Sequence, residues 1–162
     1  MTPSGPRTAV RALLLDPADR LLLLCGRDPS RLERGVFWFT VGGGLDADEP
    51  AEAALRREIT EEVGIREVSV GPAVWLLRNR FVFNGRAIDQ ANTFYVVRTR
   101  ETAVDRSGQD QVERESIMAA RWWTLDELRA TDDQLYPVPL VDRLTVLLRE
   151  GPPTSPIRLP DE

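Results

Sequence analysis

Residues 43–65 read GGLDADEPAEAALRREITEEVGI, and within them Arg57, Glu58, Glu61 and Glu62 form a charged run that stops at Gly64. From Pro50 onward Ala51, Leu55, Ile59 and Val63 recur every fourth residue, the mark of one buried stripe on a helix over 50–63. Glu49-Pro50 followed by Glu52 fits the helix start, because proline is favoured in a first turn, and Gly64 fits the stop. On a wheel advancing about 100 degrees per residue from Leu55, the stripe centres near 20 degrees, with Glu62 at roughly 340, Glu58 at roughly 300, Glu61 at roughly 240 and Arg57 at roughly 200. Glu62 therefore falls inside the apolar arc and Glu58 on its edge. A solvated charge run accounts poorly for acids that face a core. Neighbouring like charges on a helix repel by roughly 0.2–0.5 kcal/mol per pair, and a buried carboxylate without a partner is costly or takes up a proton. A divalent cation would relieve both. Arg57 is expected to pair with Glu61 at i,i+4 and leave Glu58 and Glu62 free.

The chain has 162 residues, the usual size of one domain with a core that needs no staples. It is 42% hydrophobic and 29% charged, and no apolar run approaches the length of a membrane span. The first residues lack the pattern of a secretory signal, so a cytoplasmic protein is expected. A formal charge of -5 argues against binding a nucleic-acid polymer, which needs basic patches, but leaves room for a small phosphate ligand held by a few arginines. There is no histidine, which removes imidazole bases, Ser-His-Asp triads and His-ligated zinc. Cys25, the one cysteine, sits in the apolar run LLLLCG and reads as a small buried residue and not a nucleophile. Any hydrolytic chemistry must rest on carboxylates, hydroxyls or a metal.

Around the central segment, residues 8–15 and 20–26 are Leu-rich strands split by an Asp-Pro-Ala-Asp turn, with Arg27 at the exit. Residues 36–41 form a third strand, and glycines 42–44 follow it, where the backbone can turn sharply or approach a ligand closely. Strands at 68–83 and 87–98 are joined by Asn84-Gly85, a hairpin signal. Residues 101–116 are polar and read as a mobile loop. A strand at 119–124 holds Trp122 and Trp123, of which alternation puts one in the core. Thr124-Leu-Asp-Glu reads as a capping box, residues 138–150 as an amphipathic helix, and the Pro-rich remainder as an extended tail.

The central segment resembles the signature of the Nudix hydrolases: Gly, five residues, Glu, seven residues, Arg-Glu, an aliphatic, any residue, Glu-Glu, any residue, Gly, an aliphatic. Gly43, Glu49, Arg57, Glu58, Ile59, Glu61, Glu62, Gly64 and Ile65 fill every defined position. The resemblance implies an α/β fold, an α/β/α sandwich around a mixed β-sheet, as a single domain over 1–150 with a tail at 151–162. It implies hydrolysis of a nucleoside diphosphate linked to another moiety, with Mg²⁺ or Mn²⁺ bound by the helix acids. Glu58 and Glu62 are then the principal ligands, and Glu61 a further ligand or water-activating base. Arg57 would orient the acids and Glu49 would support the loop. Members often recruit another acid from a later loop; Glu113 and Glu115 are the candidates, Glu113 preferred. Gly43 and Gly44 would approach substrate, and Arg27, Arg78 and Arg80 are candidates for phosphate contacts, Arg27 first. Trp38, Phe39, Trp75, Phe81 and Phe83 could stack a base, although strand aromatics more often pack in the core. A homodimer is compatible with the resemblance. The competing reading is a catalytically inactive Nudix-like sensor of a ligand. No auxiliary sequence of NADH or coenzyme A pyrophosphatases is present, and Arg80-Phe81 stand where ADP-ribose hydrolases carry a proline.

Overall fold

Strands β1 (Arg7–Leu15) and β2 (Leu21–Arg27) are almost continuously apolar because both of their faces are covered. Leu13 and Leu15 of β1 point to one face with Leu21, Leu23 and Cys25 of β2, while Val10, Ala12 and Leu14 point to the other with Leu22 and Leu24. The computed structural model describes residues 5–162, apart from the side chains of Val112, Arg114 and Glu115. The further elements are β3 (Val36–Gly44), α1 (Ala51–Val63), β4 (Val68–Phe83), β5 (Arg86–Thr99), α2 (Gln111–Ser116), β6 (Ile117–Trp123), α3 (Leu125–Ala130), β7 (Gln134–Leu135), α4 (Leu140–Glu150) and β8 (Ile157–Arg158).

One mixed sheet runs β6-β2-β3-β1-β5-β4-β8, with β7 beside β3. β1 pairs parallel with β5 and antiparallel with β3. Helix α1 covers one face through Ala54, Leu55, Ile59 and Val63. Helices α3 and α4 cover the other through Leu128, Leu140, Leu144 and Leu147. This is the expected α/β/α sandwich. Burial of each fully enclosed Leu or Ile contributes about 1.5–3 kcal/mol, so both layers hold the sheet firmly. No helix among the described residues is long and apolar enough to cross a membrane.

Several local readings hold. Asn84 and Gly85 both take positive φ, 50° and 75°, in the two-residue turn between β4 and β5. Thr124 caps α3 in a reciprocal box with Glu127. Trp123 is buried, while Trp122 packs on the other face and is only partly covered.

Three readings change. Strand β3 continues through the glycines, since Gly42, Gly43 and Gly44 pair with Arg11, Val10 and Ala9. Residues 101–116 are not all loop: the Asp110 carboxylate accepts the Glu113 backbone N–H at 2.8 Å, Glu113 answers the Asp110 N–H at 3.3 Å, and α2 follows. A capping box lies hidden in polar composition. Residues 151–162 run back along the sheet, where β8 pairs with β4, Leu159 is buried, and Arg80 N–H donates to the Glu162 carbonyl at 2.7 Å.

Candidate active site

Arg57 ties the loop after β3 to α1. Its Nε and Nη2 donate to the two oxygens of Glu49, each at 2.9 Å, and Nη2 also reaches the Gly44 carbonyl at 3.1 Å. Nη1 donates to Glu58 Oε1 at 2.9 Å, whereas Glu61 Oε2 stands off at 3.5 Å. The expected i,i+4 pairing with Glu61 is therefore the weaker contact. The loop brings Glu49 within reach of the guanidinium fork, whose bidentate match to a carboxylate outcompetes a half-exposed partner. These bonds pull the Glu49 carboxyl down to about 2 and raise Arg57 further above its already high value.

The three helix acids differ in burial in the order the wheel gives. Glu62 is 4% exposed, the Glu58 side chain 12% and the Glu61 side chain 47%. Glu58 presses against Gly43, where a Cβ would stand 2.5 Å from its Oε1; any side chain at 43 would displace the carboxylate. Gly64 ends the helix in a left-handed conformation at φ 71°.

Glu62 is the unsatisfied member. Its Oε2 has no hydrogen-bond partner. Burial pushes its carboxyl well above the ordinary range, Arg11 opposes that rise, and Glu58 and Glu113 reinforce it. Glu62 and Glu58 share a hydrogen-bonding contact, so the ionised form of the buried Glu62 is disfavoured unless a cation joins it. Glu113, also raised by burial, faces Glu58 and Glu62 from α2. The loop before it is docked on the end of α1: the Gln109 side-chain amide donates to the Glu62 carbonyl at 3.3 Å and Asp105 N–H to the Val63 carbonyl at 2.8 Å. The side chain of Glu115, the other loop candidate, lies outside the described residues.

Among the described residues no three acids converge closely enough to enclose an ion by themselves. That is compatible with Mg²⁺, which keeps several waters and binds through one or two carboxylates. The orphaned Glu62 oxygen beside Glu58 is the donor pair that fits, with Glu61 turned outward toward Arg57.

A cavity of about 670 Å³ opens in the protein, with none of the three helix acids in its wall. Phe37, Phe39, Phe81, Phe83, Phe94 and Tyr136 give it an aromatic lining, and Arg11 sits in its wall. Arg11 is held by Asn92 Oδ1 and Gln90 Oε1, both at 3.2 Å, and by the Gly42 carbonyl at 3.3 Å. Its charge is felt by Glu62 and Glu58, which puts the acids within electrostatic reach of this wall.

The predicted substrate arginines separate. Arg80 lines the cavity with a side chain 62% exposed. Arg78 is spent on Asp89, donating at 3.1 and 2.9 Å. Arg27 is exposed at the end of β2 and is not in the cavity wall. Gly43 and Gly44 pack against Glu58 and the Arg7 guanidinium. Among the aromatics, Trp38 and Trp75 are core residues, whereas Phe39, Phe81 and Phe83 reach the cavity. Arg11, Asn79 and Asn92 were missed. The signal for Arg11 was a lone charge inside the apolar run VRALLL.

The fold thus combines a carboxylate-rich helix on one face of a mixed sheet with an aromatic cavity. The NUDIX domain model matches residues 5–144, and the chain belongs to that family, as a Nudix pyrophosphohydrolase. It is 29% identical over 103 residues to a nucleoside triphosphatase NudI from Enterobacter sp. (strain 638), covering 62% of this chain and 72% of that protein. Its fold is similar to the crystal structure of a MutT protein from Methanosarcina mazei Go1, with TM-score 0.65, 20% identity, and 93% and 99% of the two chains covered. It is also similar to the NUDIX domain of Shewanella oneidensis NrtR in complex with ADP ribose, with TM-score 0.59, 18% identity, and 90% of each chain covered.

Proposed function

We propose that the chain hydrolyses a pyrophosphate linkage in a nucleotide or nucleotide derivative, with Glu58 and Glu62 holding Mg²⁺ or Mn²⁺ and the base seated in the aromatic cavity. The observation that carries this reading is the buried Glu62 carboxylate, unpaired at Oε2, in contact with Glu58 and facing Arg11 at the cavity wall. Held there, a divalent ion would supply charge neutralisation for the phosphates and acidify a bound water.

The chain's own residues do the rest. Arg57 fixes the Glu58 carboxylate from one side and Gly43 leaves room for it on the other. Arg11, in the cavity wall and within electrostatic reach of Glu62 and Glu58, supplies a positive charge that would attract the substrate phosphates. Glu113 lies within electrostatic reach of the same acids, and burial raises its proton affinity above that of an ordinary carboxyl, the direction that suits a general base taking a proton from the attacking water. The water oxygen bonds to phosphorus, the anhydride P–O bond breaks, and the leaving phosphate departs as an oxyanion. Phe39, Phe81 and Phe83 offer the faces on which a base can stack. The name of the NudI relative, a nucleoside triphosphatase, and the ADP ribose held by the NrtR domain both support a nucleotide substrate.

The test is a panel of nucleoside triphosphates, dinucleoside polyphosphates, nucleotide sugars and ADP-ribose, incubated with Mg²⁺ or Mn²⁺ at pH 7 to 9. Phosphate or pyrophosphate release on at least one class is expected. Silence across the panel would remove the proposal.

A further inference from the structure

Deep in the cavity wall a chain of three side chains leaves one hydrogen-bond donor with nothing to do. A guanidinium has only donors, so the Asn92 atom facing Arg11 Nε at 3.2 Å is the oxygen. Asn92 Nδ2 is thereby turned the other way, donating to the Leu77 carbonyl at 3.1 Å and to Asn79 Oδ1 at 2.9 Å. A carbonyl can only accept, so Leu77 fixes the same orientation independently. Asn92 is 3% exposed, which leaves little water to offer it another arrangement. The Asn79 oxygen is thus committed to Asn92. Its Nδ2 has no protein acceptor among the described residues, and the side chain lines the cavity beside Phe81 and Phe94. A flipped Asn79 would set two donors against each other.

We infer that Asn79 is a specificity-determining residue that selects nucleobases carrying an exocyclic oxo group over their amino counterparts. This rests on the proposal that the cavity holds the base. Uracil and hypoxanthine present an oxygen where cytosine and adenine present an amino group. An amino group facing Asn79 Nδ2 leaves that donor unpaired among aromatic rings, where water does not easily compensate it. The arrangement reads the group and not the ring size, so the same preference holds in the pyrimidine and purine pairs.

Titration calorimetry of the intact protein with uridine, cytidine, inosine and adenosine monophosphates tests this without any requirement for turnover. Uridine over cytidine and inosine over adenosine are each expected by about tenfold. Asn79→Asp keeps an acceptor for Asn92 but turns a second acceptor toward the cavity, so both ratios should fall to one or invert, while the added charge weakens binding of all four. Equal binding within each wild-type pair, or ratios unchanged in a folded Asn79→Asp protein, overturns the inference. Hydrolysis of the four triphosphates is measured in parallel. Base preference in binding with no hydrolysis of any substrate would leave the inference standing and remove the proposed reaction. Hydrolysis without base preference does the reverse, and no binding of any monophosphate removes the inference.

Discussion

Glu49 and Glu62 belong to one signature and are both largely shielded from water, with Glu49 14% exposed at its side chain and Glu62 4% exposed as a residue, yet their circumstances are opposite. Both oxygens of Glu49 are answered by the Arg57 fork, and its carboxyl drops to about 2. Glu62 has an oxygen with no partner and two acidic neighbours against the single charge of Arg11, and its carboxyl rises. The signature therefore contains a closed half that holds the loop on the helix and an open half that waits for positive charge. Stability should respond mainly to the first and turnover mainly to the second.

The largest effect should come from the open half. Glu62→Gln is expected to lower kcat at least about 10²-fold while leaving the melting temperature equal or higher at pH 8, because an amide replaces a buried, poorly paired charge. The sign follows from the raised folded-state pKa: between the unfolded value near 4.5 and the folded one, the native chain binds the extra proton, so the Glu62 contribution to stability falls as pH rises. Melting curves at pH 5 and pH 8 should show the variant gaining on wild type with pH. Mg²⁺ should raise the wild-type midpoint more than that of Glu62→Gln. A variant that loses stability as sharply as it loses activity would erase the distinction between the halves.

Arg57→Lys attacks the joint between them. An ammonium cannot bond both Glu49 oxygens, Gly44 and Glu58 at once. A kcat lower by about 10–100-fold, together with a lower melting temperature, is expected. Glu49→Gln should act on stability alone. With a folded pKa depressed to about 2 against 4.5 unfolded, the Glu49 contribution is complete above pH 5 and fades as pH falls toward 2. The melting gap between wild type and Glu49→Gln should be widest near neutral pH and close in acid, with kcat within a few-fold of wild type.

The open half was legible in the sequence because burial of Glu62 follows from helical phase, and phase needs only Leu55, Ile59 and Val63. The layers were legible for the same reason, since alternation in β1 and β2 sorts side chains to two faces. The cavity was not. Phe39 and Phe83 are brought together by β-strands distant in sequence, and the tail residue Glu162 joins that wall through backbone bonds that its Pro-rich composition does not announce. Arg57 was assigned to Glu61 because i,i+4 is the spacing a helix makes visible. Its tighter partner Glu49 lies eight residues away across a turn whose path only the folded loop fixes.

The smallest effects separate the two arginines that sequence alone could not rank. Arg78 is already paired, with two bonds to Asp89 and a carboxylate whose pKa it holds down. A phosphate would have to displace that carboxylate. Arg80 is 3.7 Å from the same Asp89 but keeps an exposed side chain on the cavity wall. Arg80→Ala should therefore raise KM by roughly two- to fivefold with kcat unchanged, the behaviour of a lost binding contact common to ground and transition states. Arg78→Ala should change KM by less than about twofold. Steady-state kinetics on the best substrate decides between them. The reverse order would mean that the Arg78–Asp89 pair opens when substrate binds, and that this wall of the cavity, unlike the Arg57–Glu49 joint, is not closed.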